Sequence, residues 1–190
     1  MQVLKESVRE AIIESAILEF YNKDYQSANM RDIAKNANIT VGNIYRYYPN
    51  KQSLFNAILI PAQQAIDLLA DFDKNTNLKK IHSKEELDKI IQYVIHVTNP
   101  YIKEIFIMIF NSSGTHHHKL KSQIENLIIT SLSEYYPGQF TRSFLEVISK
   151  SFVEAVFYIF KTNIDNQQKI KILLSDLVMF YFKNLDQRLF

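Results

Sequence analysis

The sequence predicts an all-α protein, and three observations carry that prediction. Only three Gly and four Pro occur in 190 residues, too few for a turn-rich β architecture. Apolar residues recur at three- and four-residue spacings along most of the chain, and no segment shows a competing strand alternation. The composition agrees, because 47% hydrophobic and 22% charged residues argue against disorder and against collagen-like repeats. A chain of this length buries about 70% of its unfolded surface, enough for one or two domains without staples. The absence of Cys removes disulfide scaffolds and zinc–thiolate sites from consideration.

The elements follow in order. Ile13, Ala16, Ile17 and Phe20 form the apolar stripe of a first helix from about Lys5 to Asn22. Asn29, followed three residues later by Asp32, is a capping-box variant that starts a short helix ending near Ala37. Thr40 caps another, which reaches about Tyr47 before Pro49 stops it. A long helix is expected from Asn50 to Ala70, then a polar linker from Asp71 to Ser83. Further stripes are Leu87, Ile90, Ile91 and Val94; Ile102, Ile105, Phe106 and Ile109; and Ile124, Leu127 and Ile128, ending at Pro137-Gly138. Two strongly apolar helices close the chain, with Leu145, Ile148, Phe152, Val156 and Ile159 in one and Ile170, Leu173, Leu177 and Tyr181 in the other.

The net charge of +2 hides a local excess: from Met30 to Phe55, Arg31, Lys35, Arg46 and Lys51 face only Asp32. In the same segment, two short helices joined by a tight turn fit a helix-turn-helix, whose second helix enters the DNA major groove through its N-terminal residues. Small Ala34 permits close crossing, and Ile33, Ile39 and Ile44 bury together to fix its angle. Asn38 sits where the turn needs a left-handed backbone, and Gly42 leaves one point of the reading helix bare.

Over residues 8 to 59 the sequence resembles the tetracycline-repressor-like (TetR) family of bacterial transcription regulators. The resemblance rests on Ile12-Ile13-Glu14-Ser15-Ala16-Ile17-Leu18-Glu19-Phe20, on Met30-Arg31-Asp32-Ile33-Ala34 and on Ile39-Thr40-Val41-Gly42-Asn43-Ile44-Tyr45, followed by Tyr45-Arg46-Tyr47-Tyr48-Pro49-Asn50-Lys51. Asp24 and Asn38 stand where Gly is usual, both tolerable in left-handed turns, and Tyr47 replaces a usual His with a hydroxyl that can reach phosphate. The resemblance implies a helix-turn-helix domain over 1–49 and a helical ligand-binding and dimerisation domain over 50–190. It also implies that Thr40, Val41, Asn43, Tyr45 and Tyr47 face double-stranded operator DNA, that Arg31 reaches a base or phosphate and that Lys51 grips the backbone. Asn43 can read adenine, Arg31 or Arg46 can read guanine, and Val41 can meet a thymine methyl. Asn29, at the start of the segment, and bare Gly42 complete the candidate interface. Tyr45 and Tyr48 are also explained as core residues, and Arg46 as a solvated charge.

The later chain carries no comparable signature. The last two stripes are too apolar for a monomer surface and read as half of a four-helix homodimer interface: Leu145, Ile148, Phe152, Val156 and Ile159 with Leu173, Leu177 and Tyr181. Tyr93, His96, Phe106, Met108 and Phe110 suit a pocket for a small apolar or amphipathic effector, though core packing explains them equally well. His116-His117-His118 does not form a metal site on a helix, since adjacent side chains point about 100 degrees apart. No cofactor is expected and no catalytic elbow, phosphate loop or zincin motif is present, so an enzyme is not expected. Uncharged apolar runs such as Ile105 to Phe110 stop at six residues against the roughly 20 that span a bilayer, and no signal peptide is visible, so a cytoplasmic protein is expected. The reading that emerges is a ligand-responsive homodimeric repressor on a palindromic operator. Its rival is a helical scaffold or adaptor that keeps the helix-turn-helix only as a packing unit.

Overall fold

The computed structural model describes residues 5–76 and 84–182. Among these the chain is helical: α1 (Glu6–Asn22), α2 (Met30–Asn36), α3 (Val41–Tyr47), α4 (Lys51–Thr76), α5 (Lys84–Thr98), α6 (Ile102–Phe110), α7 (Leu120–Tyr135), α8 (Arg142–Thr162) and α9 (Gln167–Phe182). Short 3-10 turns occupy Asn99–Tyr101 and His116–Lys119. Two compact units form, one from residues 1–65 with 101–120 and the other from 66–100 with 121–190. The expected division at 49/50 therefore lies inside the first unit, which also recruits α6 from later in the chain.

In the first unit Ile12, Ala16 and Phe20 of α1, Ile33 of α2, Ile44 of α3, Leu54, Phe55 and Ile58 of α4, and Ile107 and Met108 of α6 are sealed from water. The α1 stripe is rotated from the expected one: Ile12 is fully buried, whereas Ile13 and Ile17 are half-exposed. Phe55 meets Phe20 edge-on at 4.9 Å and Tyr25 at 4.7 Å, geometries that aromatic quadrupoles favour. Helix α6 is capped at its end by Asn111, whose side-chain amide donates to the Phe20 and Tyr21 carbonyls, both at 2.9 Å. Its own carbonyl accepts from Tyr25 N at 2.8 Å. These bonds satisfy carbonyls that the end of α1 leaves unpaired within the helix.

Helix α4 runs six residues beyond Ala70, correcting the expected linker start at Asp71. Polarity alone does not end a helix, and no Gly or Pro stands between Ala62 and Thr76 to do so. Pro61 lies inside it, removing the amide that would bond the Ala57 carbonyl. By length and composition the stretch Lys51–Asp71 passes for a membrane span. Its Leu54, Phe55, Ile58, Leu59, Ala62 and Ala65 are instead buried in the first unit. The rest of the expected linker, residues 77–83, lies outside the described residues.

In the second unit α9 packs between α5 and α8. Ile129, Leu132 and Tyr136 of α7 and its following turn join Leu145 of α8 in a core, with Ile128 and Ile148 against it. Leu127 was expected inward and is 68% exposed, because the buried line runs through Ile129, Leu132 and Tyr136. Ser149, fully buried, donates to the Glu125 carbonyl at 2.8 Å, and Ser175 donates to Asp88 at 3.1 Å.

Two structural details generate predictions. Asn38 has φ 55°, the left-handed conformation expected for the turn. Asn38→Val should therefore destabilise by about 1–2 kcal/mol in urea unfolding, while Asn38→Gly should be close to neutral. His117, whose ring lies 6.3 Å from Phe55, is held below the usual imidazole range by burial and then by His116. The unfolded state then takes up its proton first as pH falls below about 6.5, so stability is lost from there down through the lower folded pKa. The fall in Tm between pH 7.5 and 5.5 should be smaller in His117→Gln than in the natural chain.

Candidate nucleic-acid interface

The interface is built on the end of α1. Glu19 is 7% exposed, and its Oε1 accepts from Lys23 Nζ at 2.7 Å and from Asn29 N at 3.0 Å. Lys23 also donates to Asp32 at 3.0 Å, and these two acids hold its ammonium above the usual lysine range. Asn29 caps α2, its Oδ1 accepting from Arg31 N at 2.9 Å. The expected capping box is thus half met: Glu19, not Asp32, takes the Asn29 amide, and Asp32 turns to Lys23. Asp24 is not left-handed, correcting that expectation: Asn38 is the one non-Gly residue with positive φ among the described residues. The Asp24 carboxylate instead accepts from Ser27 N at 2.7 Å, and this bonding to Ser27 holds its pKa below the usual range.

After the Asn38 turn, Thr40 caps α3, its Oγ1 accepting from Asn43 N at 3.2 Å. Ile44 is fully buried against the other two helices, so the opposite side of α3 faces outward. Thr40, Gly42, Tyr45 and Arg46 are exposed there, with Val41 and Asn43 half-exposed. A side chain at Gly42 would meet nothing within 4 Å, so that point of the helix is open. Arg31 and Asn29 are exposed at the start of α2. Tyr48 is 8% exposed and belongs to the core, whereas Tyr45 is 47% exposed.

Two candidates are engaged elsewhere. Lys51 Nζ donates to the Ala28 carbonyl at 3.0 Å and the Gln26 carbonyl at 3.1 Å, and lies 4.8 Å from the Tyr25 ring centroid. It ties the α1–α2 loop to the start of α4. The Tyr47 hydroxyl accepts from Lys5 N at 3.0 Å and donates to Lys5 O at 3.2 Å. Sequence reasoning passed over Lys5 and Lys35 as contacts, although both are exposed cations of this unit. Lys35 was visible in the local charge excess; nothing in the sequence pointed to Lys5.

The remaining candidates are dispersed. Tyr93 and His96 belong to the second unit, while Phe106, Met108 and Phe110 belong to the first. Met108 is fully buried; the Phe106 ring packs at a tilt against Tyr21 at 5.0 Å and Phe110 at 4.9 Å. Leu145 and Ile159 are buried within the second unit itself. Ile148, Phe152, Val156, Leu173, Leu177 and Tyr181 are half-exposed, with Phe152 against Tyr181 at 5.5 Å. Thr115 caps the turn that carries the three histidines, and no cluster able to hold a metal occurs among the described residues.

A model of the bacterial regulatory proteins of the tetR family matches residues 12–58, from within α1 through α2, the turn and α3 into the start of α4. Over those residues the chain is similar to the TetR family. Over 134 residues it is 23% identical to the biofilm operon icaADBC HTH-type negative transcriptional regulator IcaR of Staphylococcus epidermidis, covering 68% of this chain and 69% of that one. A TetR-like transcriptional regulator from Rhodococcus shares the fold over 93% of this chain and 96% of its own, with a TM-score of 0.57 and 16% identity. An 80-residue stretch is also 32% identical to the methylenetetrahydrofolate–tRNA-(uracil-5-)-methyltransferase TrmFO 1 of Mycoplasma mycoides, covering 42% of this chain. That match spans only 19% of the enzyme's length. The match takes in the capped helix α3 and ends at residue 58, inside α4.

The engagement of Lys51 has a measurable consequence. Lys51→Met keeps the apolar stem but orphans two carbonyls, and should lower stability by about 1–2 kcal/mol in urea unfolding.

Proposed function

We propose that this chain is a TetR-family DNA-binding repressor that acts as a homodimer on a palindromic operator and is released by a small apolar or amphipathic effector. The observation that carries the reading is the outward face of α3, where Thr40, Val41, Gly42, Asn43 and Tyr45 surround a fully buried Ile44. Such a face offers hydrogen-bonding groups for adenine and phosphate and a methyl-sized contact for thymine, on a helix capped at the end that enters the groove. Asn29, Arg31 and Arg46 flank it. We ascribe no catalytic activity to the chain, and its expected site of action is the cytoplasm.

The homodimer is ascribed to α8 and α9. Besides the half-exposed Ile148, Phe152, Val156, Leu173, Leu177 and Tyr181, these helices expose Val147, Tyr158, Ile172 and Phe180 by 52–69%. Val147 and Tyr158 are three helical turns apart on one line, and an apolar line of that length favours a cover. Leu145 and Ile159 support the interface from within.

For the effector, the proposed contacts in the first unit are Phe106, Met108 and Phe110, and those in the second, taken by themselves, are Tyr93 and His96. Phe106 leans on Tyr21 of α1, so a ligand that displaces α6 would also disturb the support of the reading helix. A ligand that prefers the disturbed state by about 1–3 kcal/mol would weaken operator binding roughly 5- to 150-fold.

Selection from random duplexes should enrich an imperfect palindrome, and Asn43→Ala should cost about 1–3 kcal/mol at one base position. Recovery of no enriched site would favour the scaffold reading. In sedimentation at micromolar concentration the chain should be dimeric, and Tyr158→Glu with Phe180→Glu should give folded monomers with reduced operator affinity. A monomeric natural chain would overturn the dimer.

A further inference from the structure

We propose that Lys5, held by the Tyr47 hydroxyl, is a DNA-phosphate contact, and that Tyr47 acts as the positioning residue for it and not as a contact itself. This inference rests on the DNA-binding reading above and adds a contact to it.

The argument begins with the tyrosine. Tyr47 is the last residue of α3, and its hydroxyl makes two hydrogen bonds to one residue 42 positions earlier. It accepts from Lys5 N at 3.0 Å and donates to Lys5 O at 3.2 Å. A phenol has one proton to donate, and here that proton is directed at the Lys5 carbonyl. To donate to a phosphate oxygen, Tyr47 would have to give up that bond. The pair instead locks the backbone of Lys5 to the end of the reading helix, so wherever α3 docks, Lys5 goes with it.

The cations around the reading helix point the same way. Lys23 is bound by Glu19 and Asp32, Arg9 by Glu6 at 2.9 Å, and Lys51 by two carbonyls. Lys5 is exposed, and among the described residues its ammonium makes no ion pair or hydrogen bond, a state it shares with Arg31 and Lys35. Arg31 and Lys35 sit on α2, whereas Lys5 lies beside the opposite, C-terminal end of α3. With Lys51 committed to the loop, Lys5 joins Arg46, which α3 itself carries in its last turn, as a cation placed to neutralise a phosphate at that end of the reading helix. One such contact releases about one counterion.

The test uses the full chain and the duplex that it selects from random DNA. Lys5→Gln, which removes one contact from each of two protomers, should weaken binding roughly 60-fold at 0.1 M salt and lower the salt slope by about 1.8, the contribution of two phosphates. Lys5→Arg should restore both. Tyr47→Phe removes no charge, yet it should lower the salt slope by at least half as much, because it releases the lysine. The Lys5→Gln/Tyr47→Phe double variant should bind no more weakly than Lys5→Gln alone. A slope unchanged in Tyr47→Phe, with losses that multiply in the double variant, would mean that Tyr47 touches DNA itself and would overturn the proposal. So would a Lys5→Gln variant with natural affinity and slope, a result that does not depend on how well Tyr47→Phe folds. If the natural chain selects no duplex at all, the DNA-binding reading fails, and that result is distinct from either of these.

Discussion

The reading unit depends on one buried carboxylate. Taking Glu19 out of water costs several kcal/mol unless its oxygens are paired. Here the pairing comes from Lys23, one turn further along α1, and from the backbone amide of Asn29, the residue that begins α2. The amide bond is the consequential one, because it joins the end of the first helix to the start of the second across a seven-residue loop, 23–29. Once α2 starts at a fixed point, the left-handed Asn38 and the Thr40 cap set where α3 begins. Ile33 and Ile44, both fully buried, then close the crossing. Removing the Glu19 side chain would leave the Asn29 amide without its acceptor and Lys23 with Asp32 alone, at the point from which the rest is aimed.

The same unit is held from its other side by residues far away in sequence. Asn111 binds the last carbonyls of α1, Lys51 binds the carbonyls of the loop, and Phe55 receives Phe20, Tyr25 and His117 around its ring. Gly114, at φ 84°, makes the turn into the histidine segment where a side chain would crowd Gln26 at 3.1 Å. The support of the reading helix is therefore not confined to the three helices that form the motif. Helix α6 belongs to that support, which gives a physical route by which events at α6 reach the exposed face of α3.

How much of this could be read from the sequence follows from the range of the interactions. Caps and turns depend on residues three or four apart, so Asn29, Asn38 and Thr40 were legible, as were the helices with strong apolar spacing. Asp24 was misjudged because its carboxylate offers a local alternative, bonding Ser27 N, that needs no left-handed backbone. The end of α4 was misplaced because a polar sequence without Gly or Pro is compatible with both helix and linker. Leu127 was placed inside because a helical stripe one position away fits the same spacing. The intramolecular bonds of Tyr47 and Lys51 are not legible in the sequence, because their partners, Lys5 and the carbonyls of Gln26 and Ala28, lie 23 to 42 residues away. No local pattern encodes a contact at that distance.

The central claim is that two copies of the reading unit, each with α3 in a major groove, read one duplex. Hydroxyl-radical footprinting of the protein on its selected duplex tests it most directly. The account predicts two protected patches related by a dyad, with centres at least about one helical turn, roughly 34–36 Å, apart. A single patch, or uniform protection that ignores sequence, would contradict it.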